Sequence, residues 1–374
     1  MNSFEVQPGI SVKLSGTPFE RGRQQAECSG DLVYAVCKAV RGRLRDCAEI
    51  MRRTDVQDLL RNLESFHRKR DPEIMEEIAG ISAGFKFEPA EIFAYLNSSL
   101  ALDYAVSLEG GEECTSFAVT KNAGGSFVAK NRDYRLEHIS IQKVFHHSDP
   151  SWGGRKILCV GSLGSPGNFS SGMNSDGLAV ADTASRVRRY GVGCHRYFLL
   201  TRLLVRCASV GEALAEIADT RHAGGGTLTL GDATGAIAVV ELGHEAQSAD
   251  VRRFGWLART NHFVSEQLAA TTQRLPRFAK ALENSEARLA TVRERLCDSG
   301  GEWGFEKLAT ILAYRGESGG TALCRETESP QPNGDSLSQT ISGVIYDTRE
   351  KRIWFSSGYP SRDEWSMYGF DEKV

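Results

Sequence analysis

The stretch Gly110-Gly111-Glu112-Glu113-Cys114-Thr115-Ser116-Phe117 ("GGEECTSF") is where this chain of 374 residues changes texture. A polar, glycine-bearing linker runs straight into a cysteine that opens an apolar, β-prone run. On the N-terminal side the spacing is helical. Thr17-Pro18-Phe19-Glu20 reads as a helix start, with a Thr cap, Pro in the first turn and Glu three residues after the cap. Val33, Val36, Cys37, Val40, Leu44 and Cys47 then share one helical face. Asp71-Pro72-Glu73-Ile74 starts another helix with Ile74, Ile78 and Ile81 in line, and Glu88-Pro89-Ala90-Glu91-Ile92 starts a third that runs to about Asn97.

On the other side the pattern is that of strands in hairpins. Thr115–Val119 and Ser126–Asn131 are joined by Asn122-Ala123-Gly124-Gly125, a strong turn signal. Further strands are expected at 156–163, 178–183, 227–230, 237–242, 339–346 and 352–357, with Asp232-Ala233-Thr234-Gly235 as a second hairpin turn. Helical runs interrupt them at about 195–206, 210–220, 274–296 and 305–314. Hairpins with grouped helices favour an α+β layered fold over alternating βαβ units. The segment 329–335 reads as a polar loop.

Bulk properties exclude several classes. A content of 41% apolar and 25% charged residues is that of an ordinary soluble globular chain. A net charge of −3 gives no electrostatic reason to expect nucleic acid or an anionic membrane as partner. No window approaches the roughly 18 consecutive apolar residues of a membrane helix, and the N-terminus lacks the pattern of a signal peptide. The nine cysteines are scattered, without paired zinc spacing. A reducing, cytoplasmic setting is expected, with most of them buried as small hydrophobes.

The first hairpin brings residues towards Cys114. With Asn122–Gly125 as the loop, Lys121 faces Ser126 and Cys114 falls opposite Asp133, within a slip of a residue or two. Lys130, Asn131, Arg132 and Asp133 all return to its neighbourhood. A thiol beside a carboxylate and cations reads as a reactive site. A cysteine ahead of Thr-Ser-Phe-Ala-Val reads equally as a buried strand residue, and Asn131-Arg132-Asp133-Tyr134-Arg135 as an edge ion-pair cluster. No histidine in the nearby sequence supplies an obvious base. His146-His147 lacks the carboxylates that would make a metal site, Gly224-Gly225-Gly226 reads as a loop, and Met173 as core.

The motifs "EECTSF", "FVAKNRDY", "GMNSDGLAVADT" and "RTNHF", in this order, resemble those of the N-terminal-nucleophile hydrolases. The chain is most similar to the acyl-coenzyme A:6-aminopenicillanate acyltransferase family, a relative of the choloylglycine hydrolases. Segments 20–27 and 77–84, "TALCRE" at 321–326 and "GVIYDTREKRIWFSSGYPS" carry the resemblance across essentially the whole chain. It implies a four-layer αββα sandwich with a helical N-terminal segment, residues 1–113, docked on residues 114–374. It also implies self-cleavage between Glu113 and Cys114, after which the new α-amine serves as base. An α-amine, with an unperturbed pKa near ~7.8, suits that task.

By the same resemblance Cys114 is the nucleophile, Asp133 orients amine and thiol, and Asn261 donates to the oxyanion. Lys130 takes the place of an arginine in the choloylglycine hydrolases. Arg132, Tyr134, Thr183 and His262 are candidate substrate contacts, with His262 otherwise structural. The activity implied is cleavage or exchange of the acyl group of a small N-acyl amide through a Cys114 thioester. No cofactor or metal is expected, and the partners are the small amide and the chain's own two fragments as a heterodimer. Acyl-coenzyme A as donor, homo-oligomerisation, a Cys114–His262 hydrolase without self-cleavage and an inactive interaction protein remain open.

Overall fold

The computed structural model describes residues 9–107, 113–121, 124–166, 170–298, 300–317, 320–326, 339–362 and 364–370. The linker before Glu113, part of the first hairpin turn and the 329–335 loop lie outside the described residues. The strands are β1 (Ser11–Ser15), β2 (Thr115–Thr120), β3 (Ser126–Tyr134), β4 (Gln142–Ser148), β5 (Lys156–Ser162), β6 (Ser171–Asn174), β7 (Ala179–Ala184), β8 (Gly226–Gly231), β9 (Ile237–Leu242), β10 (Gln247–Arg252), β11 (Trp256–Arg259), β12 (Gln339–Asp347), β13 (Arg352–Ser357) and β14 (Ser366–Gly369). Among the described residues they form an eight-stranded sheet ordered β1-β4-β5-β6-β7-β8-β9-β10 and a six-stranded sheet ordered β11-β2-β3-β12-β13-β14.

Among the described residues the helices are α1 (Pro18–Glu27), α2 (Val33–Asp46), α3 (Ala48–Met51), α4 (Thr54–Arg70), α5 (Pro72–Phe85), α6 (Pro89–Leu96), α7 (Ser98–Tyr104), α8 (Arg196–Arg206), α9 (Val210–Ala218), α10 (Ala279–Asp298) and α11 (Phe305–Leu312). Three apolar layers fix their positions. Val36, Leu63, Ile78 and Phe198 from the first group of helices pack on Val12, Phe145, Val180 and Leu230 of the large sheet. The opposite face of that sheet, through Val144, Leu158, Met173 and Val239, meets Ala118, Val128, Val344 and Phe355 of the small sheet. The far face of the small sheet, with Phe117, Val119, Ala129 and Ile345, is covered by Leu289, Val292, Leu308 and Leu312 of α10 and α11. The fold is therefore α+β in four layers, αββα. Strands β2 and β3 are buried on both faces, which is why residues 117–119 and 127–129 are apolar at consecutive rather than alternating positions.

Two expectations need correction. The N-terminal segment is not purely helical: β1 pairs in parallel with β4, its Val12 and Leu14 turned inward. The first hairpin is also slipped by one residue, since Thr120 rather than Lys121 faces Ser126. Lys121 belongs to the turn, where its N–H donates to the Gly125 carbonyl (2.9 Å). The slip lies within the one or two residues allowed above; continued one step beyond the Thr115–Asn131 pair, it sets Arg132 opposite Cys114, with Asp133 next to it. Strands β4, β6, β10, β11 and β14 were not anticipated. His146 and His147 lie on β4, and Met173 is fully buried between the sheets.

The Thr17 start is a full capping box, Thr17 Oγ1 accepting from Glu20 N and Glu20 accepting from Thr17 N. The helix it begins packs on α5 with almost no side-chain space between them. A Cβ on Gly80 would lie 2.0 Å from the Phe19 carbonyl oxygen, and one on Gly22 2.2 Å from that of Glu77. Gly80→Ala should therefore lower unfolding stability by about 1–3 kcal/mol in a urea titration, the range for overpacking. Gly42→Ala, whose Cβ would meet only an Arg45 side-chain atom at 3.9 Å, should be neutral or slightly stabilising in the same assay.

Candidate active site

Cys114 lies immediately before β2, 4% exposed. Its neighbours come from both sheets and from α10. Pleating divides β3: Lys130 reaches towards the large sheet, while Asn131 turns to α11 and donates to the carbonyls of Leu312 (2.7 Å) and Leu323 (2.8 Å). The Cys114 Sγ lies 4.0 Å from the backbone oxygen of Asp133. Cys114, Lys130, Arg132, Asp133, Tyr134 and Asp182 line one narrow cleft.

The backbone of Cys114 is held at both ends. Its N–H donates to Asn261 Oδ1 (2.9 Å), just after β11. Its carbonyl oxygen accepts from Arg288 Nη1 (2.8 Å), which also donates to Thr115 Oγ1 (3.0 Å). The second terminal nitrogen of Arg288 reaches Asn261 Oδ1 (2.8 Å), and its Nε reaches Asn284 Oδ1 (2.8 Å). The Asn261 amide nitrogen donates to the Ala184 carbonyl (2.9 Å) at the end of β7. The carbonyl of Asn261, rather than its amide, therefore faces Cys114.

Arg288 is fully buried, and burial pushes its pKa down, with Asp133 and Glu113 opposing that shift. Sequence reasoning missed it. The signal was present: Ser285, Arg288, Leu289, Val292 and Leu296 form the buried stripe of α10. A cation on an apolar stripe needs a polar destination inside.

Asp133 is 1% exposed. Thr340 Oγ1 donates to its Oδ1 (2.7 Å), Arg325 Nη1 lies 3.9 Å from its Oδ2, and that oxygen has no hydrogen-bond partner among the described residues. Burial raises its pKa to about 6, against the pull of Arg325, Arg288 and Thr340 and with a further rise from Glu113. Glu113 itself is ion-paired with Arg325.

The other anticipated residues divide. Lys130 donates to Asp182 Oδ1 (2.5 Å) and to the Ser170 carbonyl (3.3 Å), while Arg196 Nε holds the other oxygen of Asp182 (2.8 Å). Its charge thus ties the two sheets together at the floor of the cleft. Arg132 donates to Gln142 Oε1 (3.2 Å) and Ser162 Oγ (3.1 Å) and stacks over Tyr134. Thr183 is buried one residue before Ala184, its hydroxyl without a partner among the described residues. His262 is engaged elsewhere: its Nδ1 pairs with Ser285 Oγ (2.8 Å), and burial and Arg288 lower its pKa to about 4. Beside Glu113 lies a small pocket of about 50 Å³, lined by Glu113, Ala184, Arg186, Asn261, Phe278 and Leu282 among others.

Residues 120–362 match the model of the family described as Acyl-coenzyme A:6-aminopenicillanic acid acyl-transferase. No curated protein matches the chain in sequence. Among solved structures, a mutant of the conjugated bile acid hydrolase from Clostridium perfringens is similar over 69% of this chain and 97% of its own, at 12% identity and a TM-score of 0.47. A second variant of the same hydrolase covers 70% and 98%, at 13% identity and 0.48. Penicillin V acylase from Agrobacterium tumefaciens covers 65% and 82%, at 14% identity and 0.39.

The raised pKa of Asp133 makes a stability prediction with a defined sign. A carboxyl whose folded pKa is about 6, against 3.8 for an unperturbed aspartate, binds its proton more tightly when folded. That stabilisation is complete below about pH 4 and is lost as the pH rises through 6. Asp133→Asn removes the titration. The melting temperature of the wild type, measured relative to this variant, should fall between about pH 4 and 6; a constant difference would contradict the assignment.

Proposed function

The chain belongs to the acyl-coenzyme A:6-aminopenicillanic acid acyl-transferase family, and from that premise we propose that it is a self-processing amidohydrolase whose nucleophile is Cys114. The enzyme class is that of amide-acting hydrolases and acyltransferases. The observation that carries the finer reading is the grip on the Cys114 backbone. Asn261 Oδ1 takes its N–H at 2.9 Å and Arg288 takes its carbonyl at 2.8 Å, so the bond to Glu113 is fixed beside the thiol.

In processing, the Cys114 sulfur attacks the Glu113 carbonyl carbon. The S–C bond forms, the C–N bond breaks, and the thiol proton passes to the Cys114 nitrogen. Water then hydrolyses the thioester, leaving Glu113 with a carboxylate and Cys114 with a free α-amine. Asn261 Oδ1, which accepts from this nitrogen in the uncleaved chain, holds it beside the thiol until the bond is broken. In turnover the α-amine accepts the thiol proton, the thiolate attacks the amide carbonyl of the substrate, and the departing amine takes the proton. Water resolves the thioester in an amidase; an amine in that role gives acyl transfer, and a coenzyme A thioester can charge the same sulfur.

The Asn261 amide nitrogen is the oxyanion donor we assign, which requires it to turn from Ala184 towards the developing charge. Asp133 is assigned to hold the thiol and amine, with Lys130 a positioning residue through Asp182. Against an unprocessed Cys114–His262 pair stands the engagement of His262 with Ser285 and its low pKa. The two fragments should stay together, because β1 remains paired to β4 and the core of α2, α4 and α5 is continuous with that of α8 and the large sheet.

Denaturing mass spectrometry is the direct test. The wild type should give fragments 1–113 and 114–374, and Cys114→Ala a single chain. Splitting of that variant at the same bond would refute the mechanism. In the processed protein Asn261→Ala should lower kcat by about 10²–10³, as for loss of one oxyanion donor.

A further inference from the structure

We propose that the substrate's acyl group carries its own carboxylate, held by Arg325, about as far from the reacting carbonyl as a glutamate side chain places it. The inference rests on the processing reaction above and deepens it. The thioester formed in processing is an acyl-enzyme of this same sulfur, and its acyl group is Glu113. The protein thereby displays one acyl donor that its site accepts.

What that donor does with its side chain is on the page. The Glu113 carboxylate is ion-paired with the Arg325 guanidinium, the two side chains being 17% and 18% exposed. Arg325 is fixed from its backbone: its N–H donates to Thr340 Oγ1 (2.8 Å) and its carbonyl accepts from Thr340 N (3.0 Å). Thr340 Oγ1 in turn donates to Asp133 Oδ1 (2.7 Å). The backbone that carries the cation is therefore anchored beside Asp133 independently of Glu113, and Asp133 Oδ2 lies 3.9 Å from the guanidinium.

Glu113 must leave the sulfur for any substrate to enter. Among the described residues, the acidic group then left near Arg325 Nη1 is Asp133, 3.9 Å away and already bonded to Thr340. A half-buried guanidinium without a close anion is an anion site, and its planar fork suits a carboxylate. In Glu113 the Cα, Cβ and Cγ carbons separate the reacting carbonyl from the side-chain carboxylate. The matching acyl group is glutaryl, or an α-linked glutamyl group with the same spacing. A small pocket lined by Glu113 and Asn261 opens next to this position.

The test compares N-glutaryl and N-pentanoyl p-nitroanilides on the self-cleaved wild type. These acyl chains differ only in the terminal carboxylate. The glutaryl amide should have at least about tenfold higher kcat/KM, the scale of a desolvated charge contact, and Arg325→Leu should bring the ratio towards one. Should that variant fail to self-cleave, binding replaces turnover as the readout. In the full-length, uncleavable Cys114→Ala/Glu113→Ala chain, glutarate should raise the melting temperature, pentanoate should not, and adding Arg325→Leu should abolish the glutarate shift. A cleaved enzyme that handles the pentanoyl amide equally well, or a double variant indifferent to glutarate, overturns this inference and leaves the proposed chemistry intact. A wild type that never splits at Glu113–Cys114 overturns the chemistry itself.

Discussion

A buried cation organises the Cys114 end of this sandwich. Arg288 crosses from α10 to the start of β2 and ends on the Cys114 carbonyl, the Thr115 hydroxyl and the Asn261 side chain. An unpaired guanidinium at zero exposure would cost several kcal/mol. Four acceptors on three of its nitrogens, with Asp133 and Glu113 supplying negative charge nearby, offset that cost. The consequence is rigidity around Cys114. The helix layer, the edge of the small sheet and the loop carrying Asn261 cannot shift independently without leaving this charge unsatisfied.

The same constraint accounts for where the other charges lie. Between the sheets the apolar layer runs from Val144 and Leu158 to Ile353 and Tyr368. Towards Cys114 it gives way to Lys130, Asp182 and Arg196, a cation–anion–cation series that bridges β3 to β7 and α8. Such a series is weak support for stability, since desolvation offsets most of its attraction. Its retention beside a thiol fits a role in shaping the cleft. Asp133, on the opposite pleat, experiences the burial without a full set of hydrogen bonds, and its carboxyl is correspondingly hard to ionise.

The legible part of this architecture was the part encoded locally. The capping box at Thr17 and the turn glycines after Lys121 specify structure over a few residues, and both are seen. The two-sided burial of β2 and β3 shows locally in the consecutive apolar residues 117–119 and 127–129. The illegible part is non-local. Nothing in Ser11–Ser15 announces a parallel partner in β4, and β10, largely exposed, has no apolar face to reveal it. The one-residue slip came from the turn, where Lys121 is taken up by hydrogen bonds that a count of turn residues does not show. At the site, Cys114 and Asp133 were reachable through hairpin geometry. Asn261 came through resemblance alone, and Arg288 required knowing which face of α10 points inward.

The junction between Glu113 and Cys114 joins these threads. A chain break there is tolerable only if neither side depends on that peptide bond for its place. The N-terminal side is anchored by β1 in the large sheet and by Val36, Leu63 and Ile78 in the outer core. The C-terminal side is anchored by the pairing of β2 with β3 and β11. The groups around the bond, Asn261, Arg288, Arg325 and Asp133, are all contributed by residues beyond Cys114. Breaking the bond would thus remove a tenant and leave its supports standing, which is the arrangement expected of a site that serves first an internal peptide and then an external amide.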